Sequence, residues 1–218
     1  YCGCRFRVTT DTRRIRGGEM FFALKGENFD GNDFVETALN NGAYWAVTDR
    51  ESIPEGRGII KVKDSLKALQ DLAAYHRSQM GGGRLPVIGL TGTNGKTTTK
   101  NLIREVLSCR YSVTATEGNL NNDIGVPLSL LRITPRTQVA IIEMGANHPD
   151  DIARLVKICK PDYGLITNIG KGHLLGFGSY NGVKQAKGEL YKWLGEHRYS
   201  LIFLNEDDEV LRRMASAQ

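Results

Sequence analysis

Gly89-Leu90-Thr91-Gly92-Thr93-Asn94-Gly95-Lys96-Thr97-Thr98-Thr99 decides how this chain folds. It follows a short apolar run, Leu85-Pro86-Val87-Ile88, and leads into Lys100-Asn101-Leu102-Ile103-Arg104-Glu105-Val106-Leu107, where apolar residues recur at helical spacing. Strand, glycine-rich turn and a helix opening on Lys-Thr make a cradle for a triphosphate. Backbone N–H groups and the helix N-terminus face the anion, Lys96 reaches the β- and γ-phosphates, and the Thr97 hydroxyl can ligate Mg²⁺. The common form of such a loop has glycine six residues before the lysine, where this chain has Leu90. The shorter Thr-Gly-Thr-Asn-Gly-Lys-Thr-Thr form belongs to a narrower group. A nucleoside triphosphate is the expected ligand, held by Gly92, Thr93, Asn94, Gly95, Lys96, Thr97 and Thr98.

Around this loop the chain reads as two blocks, 1–83 and 84–218, joined at the glycine run Met80-Gly81-Gly82-Gly83. In the first, strands are expected at 20–24, 45–48 and 59–62, with helices over 33–40 and 65–77, which makes a small α/β unit. In the second, strands near 86–91, 112–116, 138–143, 163–167 and 199–204 alternate with helices at 96–108, 122–131, 149–159, 181–194 and 207–214. Val139-Ala140-Ile141-Ile142 is a continuous apolar stretch, as a parallel strand covered on both faces requires. The expected architecture is α/β: a small N-terminal domain, then an open, mostly parallel sheet with flanking helices and a phosphate loop.

The 218 residues carry a formal charge of +5, which suits a protein that handles phosphates. The basic residues are dispersed and form no long run of the kind that binds nucleic acid, so no nucleic-acid partner is expected. No apolar run approaches the roughly 20 residues that span a bilayer, so no membrane insertion is expected. Cys2, Cys4, Cys109 and Cys159 lack the spacing of a zinc site and read as free thiols of a reducing cytoplasm. The start at Tyr1 and the stop on Ala215-Ser216-Ala217-Gln218 suggest a piece of a longer protein.

Ligands of open parallel sheets bind beyond the carboxyl ends of the strands. Thr97, Glu143 and His173 all fall at that rim. Singly, Glu143 reads as a solvated cap and His173 as a structural loop residue; together beside a triphosphate they form an oxygen and nitrogen ligand set for metal. Lys187 falls at the edge of the apolar arc Val183, Ala186, Leu190, Trp193 and Leu194, and periodicity alone favours a lysine that lays its stem on the core and keeps its head in water. Asn119, Asn121 and Asn122 offer donors and acceptors past another strand end, of which a helix cap explains one.

Thr91–Thr98, Gly118-Asn119-Leu120-Asn121-Asn122-Asp123-Ile124-Gly125-Val126-Pro127-Leu128, Glu143-Met144-Gly145-Ala146-Asn147-His148 and His173-Leu174-Leu175-Gly176-Phe177-Gly178-Ser179 occur in order. Together they resemble the Mur ligases of peptidoglycan synthesis, in the branch that adds D-alanyl-D-alanine to UDP-N-acetylmuramoyl-tripeptide. Thr10-Asp11-Thr12-Arg13 and Phe21–Gly31 resemble the family's uridine-nucleotide domain. The resemblance implies an ATP- and Mg²⁺-dependent amide ligase working through an acyl phosphate, a cytoplasmic monomer concerned with cell-wall growth and division. Lys96 would neutralise the β/γ-phosphates, Thr97 with Glu143 would hold one Mg²⁺, and His173 a second. Lys187 would be carbamylated by CO₂ and become an anionic ligand of that second metal, so the resemblance reverses the reading from periodicity. Thr12, Arg13, Lys25, Gly26, Asp30, Gly31, Asn119, Asn121 and Asn122 would meet the substrates.

The 1–83 block would then hold the UDP-substrate and the 84–218 block part of the ATP-binding domain. The chain alone is expected to be inactive, because a third domain and the adenine contacts lie elsewhere. A related ligase, diaminopimelate- or lysine-adding or folylpolyglutamate synthetase-like, predicts the same ATP chemistry with other substrates. A non-catalytic P-loop nucleotide-binding module, or a P-loop ATPase acting on nucleic acid, is the reading from another class.

Overall fold

The computed structural model describes residues 7–170 and 174–218. It divides into two compact units, the first ending at Leu72 and the second running from Ala73 to Gln218. In the first, β1 (Val8–Thr9), β2 (Met20–Phe22), β3 (Trp45–Thr48) and β4 (Ile59–Lys61) form a parallel sheet in the order β1-β2-β3-β4. Met20 lies opposite Trp45, and Ala46 opposite Ile59. A 3-10 turn at Gly31–Phe34, capped by the Asp30 carboxylate, runs into α1 (Val35–Asn40). Ile15, Phe21, Ala23, Val35, Ala38, Ala43 and Ala46 make its core. The two-residue strand β1 was not anticipated, since so short a segment carries no periodicity.

Helix α2 (Ser65–Gln79) contains the division between the units, which falls earlier than the glycine run. The last turns of α2 belong to the second unit because His76 and Arg77 are buried in it. His76 Nε2 lies 2.8 Å from the Ile133 carbonyl. Arg77 donates to the carbonyls of Cys159 (3.1 Å) and Lys160 (3.0 Å) and to the Asp162 carboxylate (2.9 Å). The same Asp162 oxygen accepts from the Val87 N–H, so this knot fixes where the next strand begins. At Met80–Gly83 the chain makes a turn in which Gly81, Gly82 and Gly83 take positive φ (58°, 65° and 81°).

The second unit alternates as the periodicity requires: β5 (Val87–Thr91), α3 (Lys96–Ser108), β6 (Val113–Ala115), α4 (Gly125–Leu130), β7 (Val139–Glu143), α5 (Asp151–Cys159) and β8 (Tyr163–Ile166). It continues with α6 (Leu174–Phe177), α7 (Tyr180–Glu196), β9 (Leu201–Ile202) and α8 (Glu209–Ala215). The sheet is parallel in the order β6-β7-β5-β8-β9. Every residue of β7 is buried, and Ile141 and Ile142 are fully enclosed, worth about 1.5–3 kcal/mol each. Ile152, Leu155, Val156 and Cys159 give α5 its buried face at i, i+3, i+4 and i+7. Helix α4 begins at Gly125 rather than 122, because the Asn122 carboxamide accepts from the Gly125 N–H at 2.8 Å and starts the helix there. Helix α6, a single turn, was not anticipated.

From β5 the chain leaves toward β6, and from the neighbouring β8 it leaves toward β9 on the other side. Diverging connections open a crevice at the carboxyl ends of these two strands. Among the described residues no helix is long and apolar enough to cross a membrane.

Candidate active site

The glycine-rich loop occupies that crevice. Gly92 has φ 146°, and a Cβ there would lie 1.9 Å from Thr167 Oγ1, so the position excludes every side chain. Gly95, at φ 79°, is the N-cap of α3 and turns the chain so that Lys96 opens the helix. The Lys96 ammonium donates to the carbonyls of Gly92 (2.9 Å) and Thr93 (3.2 Å), which folds the side chain over the loop.

A brace from the segment after β8 holds the loop. Thr93 N–H donates to the Asn168 carbonyl (3.1 Å) and Asn94 N–H to the Asn168 side-chain oxygen (3.1 Å). The Asn94 carbonyl accepts from Thr167 Oγ1 (2.7 Å) and Asn168 Nδ2 (2.9 Å), and Gly170 N–H donates to Thr93 Oγ1 (2.8 Å). Thr167 and Asn168 were not singled out as site residues in the sequence. Their signal is the register that sets Thr91 opposite Ile166, a pairing that sequence spacing does not reveal.

Glu143 ends β7 directly beside the loop, because Leu90 pairs with it across the ladder. Its carboxylate is buried and held at both oxygens. Thr97 Oγ1 donates to Oε2 at 3.1 Å, Asn121 Nδ2 donates to Oε1 at 2.9 Å, and Lys100 Nζ stands 3.8 Å from Oε2. Glu143 is therefore no solvated cap. Of the three asparagines, Asn121 positions Glu143, Asn122 caps α4 and Asn119 is exposed.

Lys187 is 2 % exposed, so its head does not snorkel. Its Nζ lies 5.8 Å from the centre of the Phe177 ring. Burial pushes its pKa down to about 8, and the Lys96 ammonium nearby adds to the shift. Such an amine is still mostly protonated at pH 7, yet its neutral fraction is far larger than an ordinary lysine's, and that fraction is nucleophilic toward electrophiles such as CO₂. Two residues on, Glu189 accepts from the N–H groups of Asp150 (3.2 Å) and Ala153 (2.7 Å) and caps α5. Burial raises the pKa of its carboxyl. His173, with Cys2 and Cys4, lies outside the described residues.

In the first unit, Thr10, Asp11, Thr12, Arg13, Phe21, Phe29, Gly31 and Phe34 line a cavity of about 510 Å³. Thr12, Arg13 and the Phe21–Gly31 segment that carries Phe29 were expected at a substrate site; the exposed ring of Phe34 was not. The Arg13 guanidinium is bound through two nitrogens to the Asp11 carboxylate, at 2.9 Å each, and this bond is the main reason the Asp11 pKa is lowered. Lys25 pairs with Asp49 (3.0 Å) and Asp30 with Arg50 (2.9 Å), while Gly26 closes a turn onto the Phe29 carbonyl (2.9 Å). Lys25, Gly26 and Asp30 thus shape the loop bearing Phe29 and stand outside the cavity lining.

Two family models together match most of the chain. Residues 90–218 match the Mur ligase middle domain, and residues 7–77 match the Mur ligase family catalytic domain. The UDP-N-acetylmuramoyl-tripeptide–D-alanyl-D-alanine ligase of Bacillus subtilis is 41% identical over 97% of this chain and 46% of its own length. That of Escherichia coli is 42% identical over 92% of this chain and 44% of its own. A crystal structure of MurF ligase from Thermotoga maritima in complex with ADP superposes with a TM-score of 0.86 at 35% identity, over 97% of this chain and 48% of that one. The chain spans about half the length of the curated relatives it matches.

Proposed function

The chain belongs to the Mur ligase family, and we propose that it supplies the phosphate-binding and carboxylate-activating part of an ATP-dependent amide ligase of peptidoglycan precursor synthesis. The observation that carries this is the 3.1 Å hydrogen bond from Thr97 to the buried Glu143 at the mouth of the glycine loop. The relatives in Bacillus subtilis and Escherichia coli are named for joining D-alanyl-D-alanine to UDP-N-acetylmuramoyl-tripeptide, and we assign those substrates to the protein that contains this chain. Over 97% of the chain the Bacillus subtilis relative is 41% identical, whereas a diaminopimelate ligase structure covering the same share is 21% identical, which favours this branch over the sister ligases.

The residues fit a magnesium nucleotide. Thr97 and Glu143 present a hydroxyl and a carboxylate, the hard oxygen donors that Mg²⁺ takes together with phosphate oxygens. Among the described residues no group of three or more His, Cys, Asp or Glu side chains stands ready to hold a metal, so the nucleotide completes the set. When bound, Mg²⁺ would offset the charge that develops on the transferring phosphoryl group. The residues of the chain supply the rest. The loop amides and Lys96 hold and neutralise the β/γ-phosphates, and the brace at Thr167 and Asn168 fixes the loop before the ligand arrives. The tripeptide carboxylate attacks the γ-phosphorus and ADP leaves; the amine of D-alanyl-D-alanine then attacks the acyl carbon and phosphate leaves. Lys187, as its carbamate, and His173 would hold a second Mg²⁺ that assists activation of the carboxylate. The uridine nucleotide would lie in the cavity of the first unit, its base against Phe29 or Phe34.

Such a ligase draws on ATP and works as a cytoplasmic monomer; the 218 residues alone would bind nucleotide without ligating. The test is a substrate panel on the whole protein. Phosphate release that requires UDP-N-acetylmuramoyl-tripeptide and D-alanyl-D-alanine together supports the assignment, and dependence on a single amino acid in place of the dipeptide moves it to a sister ligase.

A further inference from the structure

Lys100 is the residue of α3 that the fold buries. One helical turn beyond Lys96, it is 3 % exposed, and its ammonium stands 3.8 Å from Glu143 Oε2. That is the same oxygen to which Thr97 donates. A buried lysine costs much to desolvate, and Glu143 needs no further hydrogen bond to hold its place, since Thr97 and Asn121 already grip both oxygens. What Lys100 adds is charge. Glu117, the other carboxylate that feels Lys100, is hydrogen-bonded to Arg132, which leaves Glu143 as the buried partner.

We propose that Lys100 is a built-in counter-ion of Glu143 that makes divalent-cation binding conditional on nucleotide. The inference rests on the assignment of Thr97 and Glu143 as the metal-facing pair. A lone carboxylate beside a hydroxyl would attract a divalent cation by itself. With Lys100 beside it the pair is neutral, and a cation gains little until phosphate oxygens bring negative charge from the other side. The metal and the nucleotide then enter together. Lys100 is a positioning residue of the charge kind, touching neither phosphate nor the reacting carboxylate.

The experiment titrates Mn²⁺ into the 218-residue chain, followed by electron paramagnetic resonance, with and without ADP. The wild-type chain should bind Mn²⁺ weakly alone and far more tightly with ADP. Lys100→Met should bind Mn²⁺ alone at least about tenfold more tightly, with a smaller gain from ADP. Lys100→Arg, which keeps the charge, should restore the wild-type pattern. A merely structural lysine would change thermal stability and could not raise affinity for the metal. Unchanged or weaker Mn²⁺ binding by Lys100→Met overturns the proposal. Tight Mn²⁺ binding by the wild-type chain without nucleotide overturns it too, and needs no variant to fold. Glu143→Gln separates the two layers: if ADP-dependent Mn²⁺ binding survives that change, the assignment of the metal pair fails and the proposal with it. If it is lost while Lys100→Met behaves as wild type, the proposal alone fails.

Discussion

Single residues set the tolerances of this site, and Gly92 sets the tightest. Gly92→Ala puts a methyl group 1.9 Å from Thr167 Oγ1 at φ 146°, whereas a Cβ at Gly95 meets open space and bears only the cost of φ 79°. A strained left-handed residue costs about 1–3 kcal/mol. Gly95→Ala should therefore weaken ADP binding modestly, and Gly92→Ala should abolish it; equal affinities by calorimetry would contradict this. Lys187 carries the second prediction. Carbamylation adds CO₂ to the neutral amine and releases a proton, so with a pKa of about 8 the carbamate should grow as pH rises through 8. A carbonyl signal from ¹³C-bicarbonate in NMR that is absent in Lys187→Arg supports it, and none at any pH would oppose it. In the whole enzyme, Lys187→Arg should stay inactive, while short carboxylic acids should partly rescue Lys187→Ala. Lys96 and Thr97 were legible because loop and lysine chemistry is local. The depth of Lys187 and the grip of Asn121 on Glu143 were not, since both depend on which strands become neighbours.

Elements follow the same division. Trp45–Thr48 and Lys96–Ser108 lie where an apolar run and helical spacing place them, because each is long enough to show its pattern, although in α3 only Lys100 is buried while Leu102 and Val106 stay exposed. Val8–Thr9 and Leu174–Phe177 are too short to show one, and the start of α4 waited on the cap by Asn122. The division between the compact units falls inside α2 rather than at the glycine run for another reason. A glycine run reads as a joint, yet two polar residues before it, His76 and Arg77, are what enter the second unit. Burial holds the His76 imidazole below its ordinary 6.5. The unfolded ring thus binds more protons, and stability is lost as pH falls below 6.5 and is flat in this respect above it. His76→Gln keeps a donor for the Ile133 carbonyl and removes the titration. Urea unfolding at pH 5.5 and 7.5 should show a smaller loss at the lower pH for the variant than for the wild-type chain. An identical loss in both would assign the acid sensitivity to other groups.

The molecule as a whole brings a phosphate loop, a buried carboxylate and a buried lysine to one sheet rim, and holds a separate cavity in its first unit. Adding UDP to the whole chain should shift the amides of Thr12, Arg13 and Gly31 first in NMR; shifts confined to 65–77 would remove the cavity from the account. The order of motifs revealed the family, because four short signatures in sequence are hard to assemble otherwise. Nothing in that order shows the brace from Asn168 or the counter-ion at Lys100, which arise only when β8 and β7 flank β5. Calorimetric titration of ADP into the wild-type chain and Lys96→Ala, with and without Mg²⁺, tests the central claim that this rim is a magnesium-nucleotide cradle. The account predicts Mg²⁺-enhanced binding to the wild-type chain that falls by two orders of magnitude or so, about 3 kcal/mol, when the Lys96 charge is lost. Equal binding by Lys96→Ala, or none by the wild-type chain, would contradict it.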